Sequence, residues 1–236
     1  MIRQHERLTP EERRGVYRAI YGRRDVRAEF LPAPIPDGVL ARVLRAAHHA
    51  PSVGFMQPWN FLVVRDGAVR RAVREAFLRE RDRAASLYDE PRRSVFLGLK
   101  LEGILDAPIN LCVTCDPARG GPHVLGRSAV RETDVYSTCC AIQNFWLAAR
   151  AEGVGVGWVS ILQPGELKTI LGIPEPVVIV AYLCVGYVSE FKETPDLARA
   201  GWRHRLPLEE LVFEDRWGQW PSNLRAELAT EGEDGP

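Results

Sequence analysis

The stretch Arg23-Arg24-Asp25-Val26-Arg27-Ala28-Glu29-Phe30 places three arginines within five positions, interrupted by one carboxylate and followed by an aromatic ring. Guanidinium groups are planar forks that can bind two oxygens of a phosphate at once. A second interpretation is a solvated, charged turn at the end of the preceding helix. Taken alone the pattern favours that turn, so the rest of the chain has to supply a reason for a phosphate site.

Length and composition indicate an ordinary globular protein. The chain has 236 residues, of which 46% are hydrophobic and 26% are charged, which suits one large domain. Lys+Arg and Asp+Glu number 31 each, so the charge balance indicates neither a nucleic-acid partner nor a membrane surface. We expect a single domain over residues 1–236, with a core at about 9–213 and frayed tails at 1–8 and 223–236.

Five cysteines bear on metal binding and on compartment. Cys112-x-x-Cys115 lies in the strand-like run Ile109–Cys115, where a period of two puts these thiols on opposite faces. Because no second cysteine pair or histidine pair at metal spacing accompanies them, buried free thiols are favoured over a metal site. The odd count and scattered spacing predict a reducing cytosol, and we see no signal peptide, so we expect a cytoplasmic protein.

Two helices are predicted before residue 51. The first begins at the capping box Thr9–Glu12 and ends near Gly22, directly before the arginine stretch. Its inward face is predicted at three apolar positions, Val16, Ala19 and Ile20. The second helix is capped by Asp37 and ends near residues 49–51.

The loop Pro51–Trp59 is rich in proline, glycine and aromatic residues, a composition typical of a site-forming connection. The alternative is a tight connection between a helix and a strand with an aromatic plug, and these residues alone do not decide between the two. His48 and His49 could reach this loop, but partly buried histidines with satisfied hydrogen bonds are the simpler interpretation.

The remaining elements follow from periodicity and capping signals. In chain order they are a strand at 60–65, a helix capped by Asp66 that extends as far as Tyr88, a helix at about 94–105 that contains Lys100, a strand at 109–115, a long loop at 116–133, a helix at 134–152, a glycine-alternating strand at 153–160, a helix at 164–171, a central strand at 177–188 and a mostly irregular tail from Glu190. The helix at 134–152 is apolar nearly all round, which predicts burial in a core or a subunit interface.

In the strand Gly153-Val154-Gly155-Val156-Gly157-Trp158-Val159-Ser160, alternate residues from 153 to 157 lack a side chain. Glycines at this spacing indicate that something approaches the backbone closely. Alternatively, the glycines only make room for Trp158 and its neighbours.

The arginine stretch, the glycine strand and a late Arg203-His204-Arg205 before Pro-Leu-Glu-Glu together resemble the flavin-dependent nitroreductase family, over about residues 9–213. The resemblance implies an α+β fold, with a central, mostly antiparallel sheet flanked by helices and an FMN site at a homodimer interface. The arginine stretch and the late arginines would hold the flavin phosphate, and Pro51–Trp59 would come from the other subunit. The implied flavin-binding residues are Arg23, Arg24, Asp25, Val26, Arg27, Ser52, Gly54, Leu97, Lys100, Val156, Gly157, Arg203 and Arg205.

Two departures point to a subgroup. Ser52-Val53-Gly54-Phe55 stands where nitroreductases commonly carry Ser-Ser-x-Asn, and Asp25 stands where many relatives have serine. Together with Gly-Trp-Val-Ser at 157–160, these strings resemble the BluB-type 5,6-dimethylbenzimidazole synthases. This resemblance implies that reduced FMN is the substrate and dioxygen the co-substrate. The expected products are 5,6-dimethylbenzimidazole and erythrose 4-phosphate, with reduced FMN supplied by a separate flavin reductase.

Two residues are candidates for catalysis. Asp25 could move protons, with its ionised form favoured by the neighbouring arginines, or it could be a structural counter-ion to Arg24 or Arg27. Ser160 could hold a reacting group, or it could be a polar strand end. Gly54 and Phe55 are candidates for an oxygen pocket, although Phe55 could instead be a core aromatic.

Two rival functions remain open. One is an NAD(P)H-dependent FMN nitroreductase or quinone reductase, which would need an open stacking site for nicotinamide above the flavin. The other is a flavin carrier without turnover, in which the arginines hold FMN and no chemistry follows.

Overall fold

The structure is a computed structural model that describes residues 7–221 and 223–229. It divides into two compact units, one of residues 22–193 and one of residues 1–21 with 194–236. The predicted single domain stays a prediction. No helix in the described part of the chain is both long enough and apolar enough to cross a membrane.

The unit of residues 22–193 contains one four-stranded sheet. Its strands are β1 (Trp59–Val64), β2 (Ile109–Cys115), β3 (Val154–Val159) and β4 (Val178–Tyr187). Their order is β1-β2-β4-β3 and each neighbouring pair is antiparallel. The predicted α+β class and the interior position of β4 are both confirmed, since β4 has neighbours on both sides.

The helices are α1 (Pro10–Gly22), α2 (Asp37–His48), α3 (Gly67–Ala85), α4 (Arg92–Gly98), α5 (Thr133–Ala151), α6 (Pro164–Leu171), α7 (Asp196–Arg199) and α8 (Leu224–Ala229). Asp66 caps α3 as predicted, because its carboxylate accepts from the N–H groups of Ala68 and Val69 at 2.8 and 2.9 Å. Asp37 is not a cap, since the cap position is Pro36. The Asp37 carboxylate instead binds Arg65 at 2.6 Å.

The sheet is covered on both faces, because alternate side chains of the interior strands point in opposite directions. On one face, Leu111 and Leu183 pack with Phe145 of α5 and with residues of α2. On the other face, Cys112 and Tyr182 pack with residues of α3 and α6. This two-sided burial explains why β2 and β4 read as continuous apolar runs.

The predicted helix at 94–105 is wrong beyond its first turns. α4 ends at Gly98, and Leu99 is extended with ψ of 134°. The next segment packs against the arginine stretch, where a Cβ on Gly103 would lie 2.8 Å from the carbonyl oxygen of Arg27. Lys100 therefore lies after the helix rather than within it. Apolar spacing could not reveal this, because the segment is buried without being helical.

The second unit contains α1 up to Tyr21, together with α7, α8 and a short 3-10 turn at Leu208–Glu210. The capping box is confirmed, with the Thr9 N–H donating to Glu12 at 2.7 Å. The predicted inward face is wrong: Val16 and Ile20 are 47% and 38% exposed, and α1 buries none of its residues. Periodicity identifies an apolar stripe but not what covers it. The predicted tails fall partly on residues 1–6 and 230–236, which lie outside the described residues.

Candidate functional site

The arginine stretch docks along β3, one of the two edge strands of the sheet. The N–H of Val26 donates to the carbonyl of Val156 at 3.0 Å, and the Val26 side chain is buried. Further along, the N–H of Leu31 donates to the carbonyl of Tyr187 at 2.8 Å. A solvated turn would not make these main-chain bonds, so that interpretation of the stretch is wrong.

The glycines of β3 make this docking possible. A Cβ on Gly157 would lie 2.0 Å from the carbonyl oxygen of Val26, and a Cβ on Gly155 would lie 2.3 Å from Cγ1 of Val188. Real Cβ atoms do not approach other atoms so closely. The prediction that something lies against this backbone is confirmed, and what lies there is the chain itself. That Val156 or Gly157 offers its amide to a flavin stays a prediction.

Hydrogen bonds join Asp25, Arg27 and the backbone of Trp158 to one another. Asp25 Oδ1 accepts from the N–H of Trp158 at 2.8 Å and from Arg27 Nη1 at 2.6 Å. Arg27 Nη2 binds the other carboxylate oxygen and also donates to the carbonyl of Trp158 at 2.7 Å. The Arg27 side chain is only 14% exposed, whereas that of Asp25 is 43% exposed. Arg27 therefore fixes Asp25 to the strand end, and its contact with a phosphate stays a prediction.

Burial raises the pKa of Asp25 above its ordinary value, although the charge and hydrogen bonds of Arg27, the N–H of Trp158 and the charge of Arg23 all oppose the rise. The neighbouring arginines were expected to favour the ionised form of Asp25 and so to lower its pKa; that expectation is wrong, because the pKa is raised. Because almost half of the side chain still meets solvent, water limits the size of this effect. A carboxyl with a raised pKa and an accessible surface suits proton transfer better than a fully ionised counter-ion does.

The other two arginines of the stretch are held by α5 and by backbone carbonyls. The Arg23 guanidinium carbon lies 5.1 Å from the ring centroid of Trp146. Arg24 donates from Nη1 to the carbonyl of Arg23 at 2.7 Å and from Nη2 to the carbonyl of Glu193.

The remaining predicted residues of this unit lie at the surface. Ser160 directly follows β3 and is exposed. Leu97 on α4 is 44% exposed. The ammonium of Lys100 lies 2.7 Å from Asp106 and 3.6 Å from Glu102. Partial burial lowers the pKa of Lys100, but its bond to Asp106 and the charge of Glu102 outweigh that effect and raise it overall. Lys100 is thus half-exposed but ion-paired.

The loop Pro51–Trp59 contains unusual backbone. Gly54, Phe55 and Gln57 have φ angles of 51°, 54° and 49°, a region that non-glycine residues rarely occupy. Ser52 Oγ accepts from the N–H of Gln57 at 3.0 Å. Phe55 is 82% exposed, so the core-aromatic interpretation of this ring is wrong. Trp59, the other aromatic residue of the loop, is only 3% exposed.

Sequence reasoning missed the residue that holds this loop. Arg119 Nη1 donates to the carbonyls of Gln57 and Trp59 at 2.9 and 2.8 Å. The one available signal was strand pairing: Trp59 pairs with Cys115, so the residues just after β2 had to lie beside the loop. His48 has the expected hydrogen bond, since its Nδ1 accepts from Trp59 Nε1 at 3.1 Å. The expected partial burial is wrong, because His48 and His49 are both exposed.

A surface cavity of about 580 Å³ lies between α2 and this loop. Its lining residues are Ala41, Leu44, Arg45, His48, Met56, Gln57, Trp59, Phe61 and Arg119. None of the predicted flavin-binding residues is among them. We assign no ligand to this cavity, because Arg119 and His48 already bind the loop that forms its wall.

The interpretation of Cys112 and Cys115 as buried free thiols is confirmed. Cys112 packs on the face of the sheet that α3 covers. Burial raises its pKa to about 12. Burial likewise raises the pKa of Cys115 to about 11, and that thiol meets Thr138 of α5 on the opposite face. Both thiols are therefore protonated and inert near neutral pH.

Arg203 and Arg205 belong to the other compact unit, between α7 and the 3-10 turn, and both are exposed. Their predicted role in a phosphate clamp with the arginine stretch stays a prediction.

The fold and this site define an α+β protein with helices on both faces of an antiparallel sheet and an arginine-rich segment docked on the edge strand β3. The sequence model of the Nitroreductase family matches residues 20–187. This chain belongs to the Nitroreductase family.

Three relatives illustrate the similarity. A 5,6-dimethylbenzimidazole synthase of Rhodospirillum rubrum is 44% identical over 198 residues, which cover 84% of this chain and 93% of the relative. A protein of Rhodobacter capsulatus with the same name is 42% identical, over 79% of this chain and 90% of the relative. The crystal structure of a BluB-like flavoprotein from Clostridium difficile 630 superposes with a TM-score of 0.63 at 18% identity, covering 85% of this chain and 99% of that one. This structural match supports the fold alone.

Proposed function

We propose that this chain catalyses the oxygen-dependent fragmentation of reduced FMN to 5,6-dimethylbenzimidazole and erythrose 4-phosphate. The observation that carries the proposal is the Asp25 carboxyl, which is fixed at the end of β3 yet 43% exposed. This carboxyl is one of the residues by which the chain departs from ordinary nitroreductases. The relatives named 5,6-dimethylbenzimidazole synthase, at 44% and 42% identity, support the same reaction.

The residues present fit a flavin phosphate in their chemistry. Arg23 and Arg24 offer guanidinium groups beside a docked backbone, and Arg203 and Arg205 are exposed cations in the other unit. Bidentate guanidinium contacts are well suited to a dianion. Reduced FMN, once bound, supplies both the carbon atoms of the product and the electrons that dioxygen accepts.

We assign proton transfer to Asp25 and positioning to Ser160. Trp158 and Arg27 hold the Asp25 carboxyl in one orientation, and burial raises its pKa, so that it can carry a proton closer to neutral pH than an ordinary aspartate can. Ser160 follows the same strand two residues after Trp158, and its exposed hydroxyl can donate to a polar atom of the substrate.

We further propose a homodimer in which the loop Pro51–Trp59 of one copy reaches the flavin of the other. Three positive φ angles and the 82% exposed ring of Phe55 support a projecting contact. Ser52 and Gly54 would touch the flavin, and Gly54 and Phe55 would shape a pocket for dioxygen. Leu97 and Lys100 remain candidates for contacts with the face of the flavin ring.

The chemistry also requires a source of reduced FMN. Because the proposed reaction consumes the flavin, a separate flavin reductase would supply it. The described free cysteines, three of them buried, support a reducing compartment, and we propose the cytoplasm.

The decisive experiment adds photoreduced FMN to the pure protein in air and separates the products by chromatography. We expect loss of FMN and the appearance of 5,6-dimethylbenzimidazole. Quantitative return of oxidised FMN with hydrogen peroxide would contradict the proposal. Rapid bleaching of bound flavin by NADH or NADPH would instead indicate a nitroreductase or quinone reductase.

A further inference from the structure

Trp146 on α5 touches two arginines of the stretch and has no role in the site described so far. Its side chain is 7% exposed. We propose that Trp146 is a positioning residue that orients the guanidinium of Arg23 toward the phosphate of FMN and fixes the backbone at Arg24, and so determines the preference for FMN over riboflavin. This inference rests on the proposed function only in taking FMN as the ligand.

The indole makes two different contacts at once. Its Nε1–H donates to the carbonyl of Arg24 at 3.2 Å, which fixes the backbone between Arg24 and Asp25. Its ring lies under the guanidinium of Arg23, with 5.1 Å from Cζ to the ring centroid. One buried side chain therefore sets both the backbone of the stretch and the direction of one guanidinium.

The contact with Arg23 orients the cation without occupying its donors. A guanidinium over an aromatic face is attracted by the ring quadrupole, and its N–H groups remain able to bind an anion. Arg27 differs, because its N–H groups are bonded to Asp25 and to the carbonyl of Trp158. Of these two arginines, Arg23 is the better placed to bind a phosphate.

The surrounding residues make this arrangement rigid. One helical turn after Trp146, Arg150 Nε donates to the carbonyl of Gly22 at 3.0 Å, which fixes the backbone just before Arg23. The ring of Trp158 lies 6.3 Å from that of Trp146 at an angle of 42°. Trp158 also donates its N–H to Asp25. The indole of Trp146 thus connects Arg23, the proposed phosphate ligand, with Trp158, which binds the carboxyl of Asp25.

The inference predicts a selective loss of phosphate recognition. FMN and riboflavin share the isoalloxazine ring and the ribityl chain and differ only in the phosphate. If Trp146 acts through Arg23 and Arg24, its replacement weakens FMN binding and leaves riboflavin binding unchanged. A purely structural role would weaken the binding of both ligands together.

The experiment measures the dissociation constants of oxidised FMN and riboflavin by flavin fluorescence for three proteins. Trp146→Phe keeps a ring and removes the N–H, and Trp146→Leu removes both contacts. We expect FMN to bind about threefold to tenfold more weakly to Trp146→Phe and about tenfold to a hundredfold more weakly to Trp146→Leu, the size of a lost hydrogen bond and of a lost cation–π contact. Trp217→Phe, at a residue that is 90% exposed in the other unit, is the matched control and should change neither constant.

A further measurement keeps the inference testable if Trp146→Leu does not fold. Arg23→Ala removes the guanidinium that lies over the indole of Trp146, and it should remove most of the preference for FMN while riboflavin binding stays unchanged.

Equal weakening of FMN and riboflavin, an unchanged preference in Trp146→Phe, or an Arg23→Ala protein that keeps the wild-type preference would each overturn the inference. A wild-type protein that binds both flavins equally would overturn it as well. None of these results depends on product formation, so they are distinct from a failure of the proposed reaction, which the oxygen experiment tests separately.

Discussion

The Arg23–Phe30 stretch and the loop Pro51–Trp59 are both predicted to contact the flavin, but the chain holds them in different ways. The main chain of the stretch is hydrogen-bonded to β3 through Val26 and Val156. Within the stretch, the side chains of Val26 and Phe30 are buried. The loop has three residues at positive φ and exposes 82% of the ring of Phe55.

This difference shows which half of the proposed site a single chain can complete. The arginine stretch is pre-organised by its own strand, so its geometry should survive without a ligand or a second copy. The loop presents an apolar ring to solvent on strained backbone, an arrangement more usual where another surface covers it. Its outer face should therefore depend on dimerisation and its inner face on Arg119.

The largest effect is expected at Asp25, the charged group that the stretch exposes. Asp25→Asn keeps an acceptor for the N–H of Trp158 but removes the proton carrier. We expect formation of 5,6-dimethylbenzimidazole to fall by about 10²- to 10⁴-fold, the usual size of a lost general acid or base, with FMN affinity retained. Single-turnover product analysis measures the loss.

Asp37→Asn is the matched control for this change. It breaks an ion pair with Arg65, and Asp37 is not among the proposed site residues. We expect normal product formation from it. Equal product from Asp25→Asn and from wild type would return Asp25 to the role of a structural counter-ion.

The second effect tests the docking of the stretch. Gly157→Ala would place a Cβ 2.0 Å from the carbonyl oxygen of Val26, which neither backbone can relieve without separating the stretch from β3. We expect the free energy of unfolding to fall by about 3–4 kcal/mol, at the upper end of overpacking effects. Chemical denaturation measures it.

Gly165→Ala is the control for Gly157→Ala, because a Cβ there meets nothing within 4 Å. Since Gly165 lies within α6, alanine should raise stability by about 0.5–1 kcal/mol. A Gly157→Ala protein as stable as wild type would show that the stretch is not rigidly attached to the strand.

The third effect tests the loop. Gly54→Ala would put a Cβ 2.7 Å from the carbonyl oxygen of Leu125 at a φ of 51°. We expect a loss of about 2–3 kcal/mol from strain and contact together. Gly121→Ala has a φ of 82° and nothing within 4 Å, so it carries the strain alone and should lose about 1 kcal/mol. Equal losses in the two variants would mean that the neighbouring loop does not support Gly54.

Sequence reasoning predicted the stretch better than it predicted the loop, for a physical reason. Arginine spacing and glycine alternation record a docking within one chain, and both partners were visible in the sequence. The bonds from Arg119 to Gln57 and Trp59 join residues about 60 positions apart without any spacing pattern. The sequence left two interpretations of Phe55 open, because an aromatic ring looks the same in sequence whether it fills a core or projects from it.

The sequence also could not predict the ionisation of a side chain whose burial depends on the fold. Neighbouring arginines suggested an ionised Asp25, but burial depends on how the chain folds over the carboxyl, and burial outweighs the arginines. The exposed stripe of α1 has a similar origin. A sequence pattern indicates which environment a residue favours, but tertiary packing determines the environment in which the residue lies.

The smallest effect tests whether the exposed carboxyl of the stretch costs stability. Because the folded state raises the pKa of Asp25 above its ordinary value of 3.8, the folded state binds a proton more readily than the unfolded state does. Its contribution to stability is therefore complete below pH 3.8 and is lost as the pH rises through the raised pKa. Relative to Asp25→Asn, wild type should become less stable over that window.

Asp66 is the control with the opposite pH dependence, since the N–H groups of Val69 and Ala68 lower its pKa. Wild type should therefore lose stability relative to Asp66→Asn as the pH falls. Denaturation midpoints of the three proteins between about pH 3 and pH 7 measure both slopes. Slopes of the same sign would show that the arginines, and not burial, control the charge of Asp25.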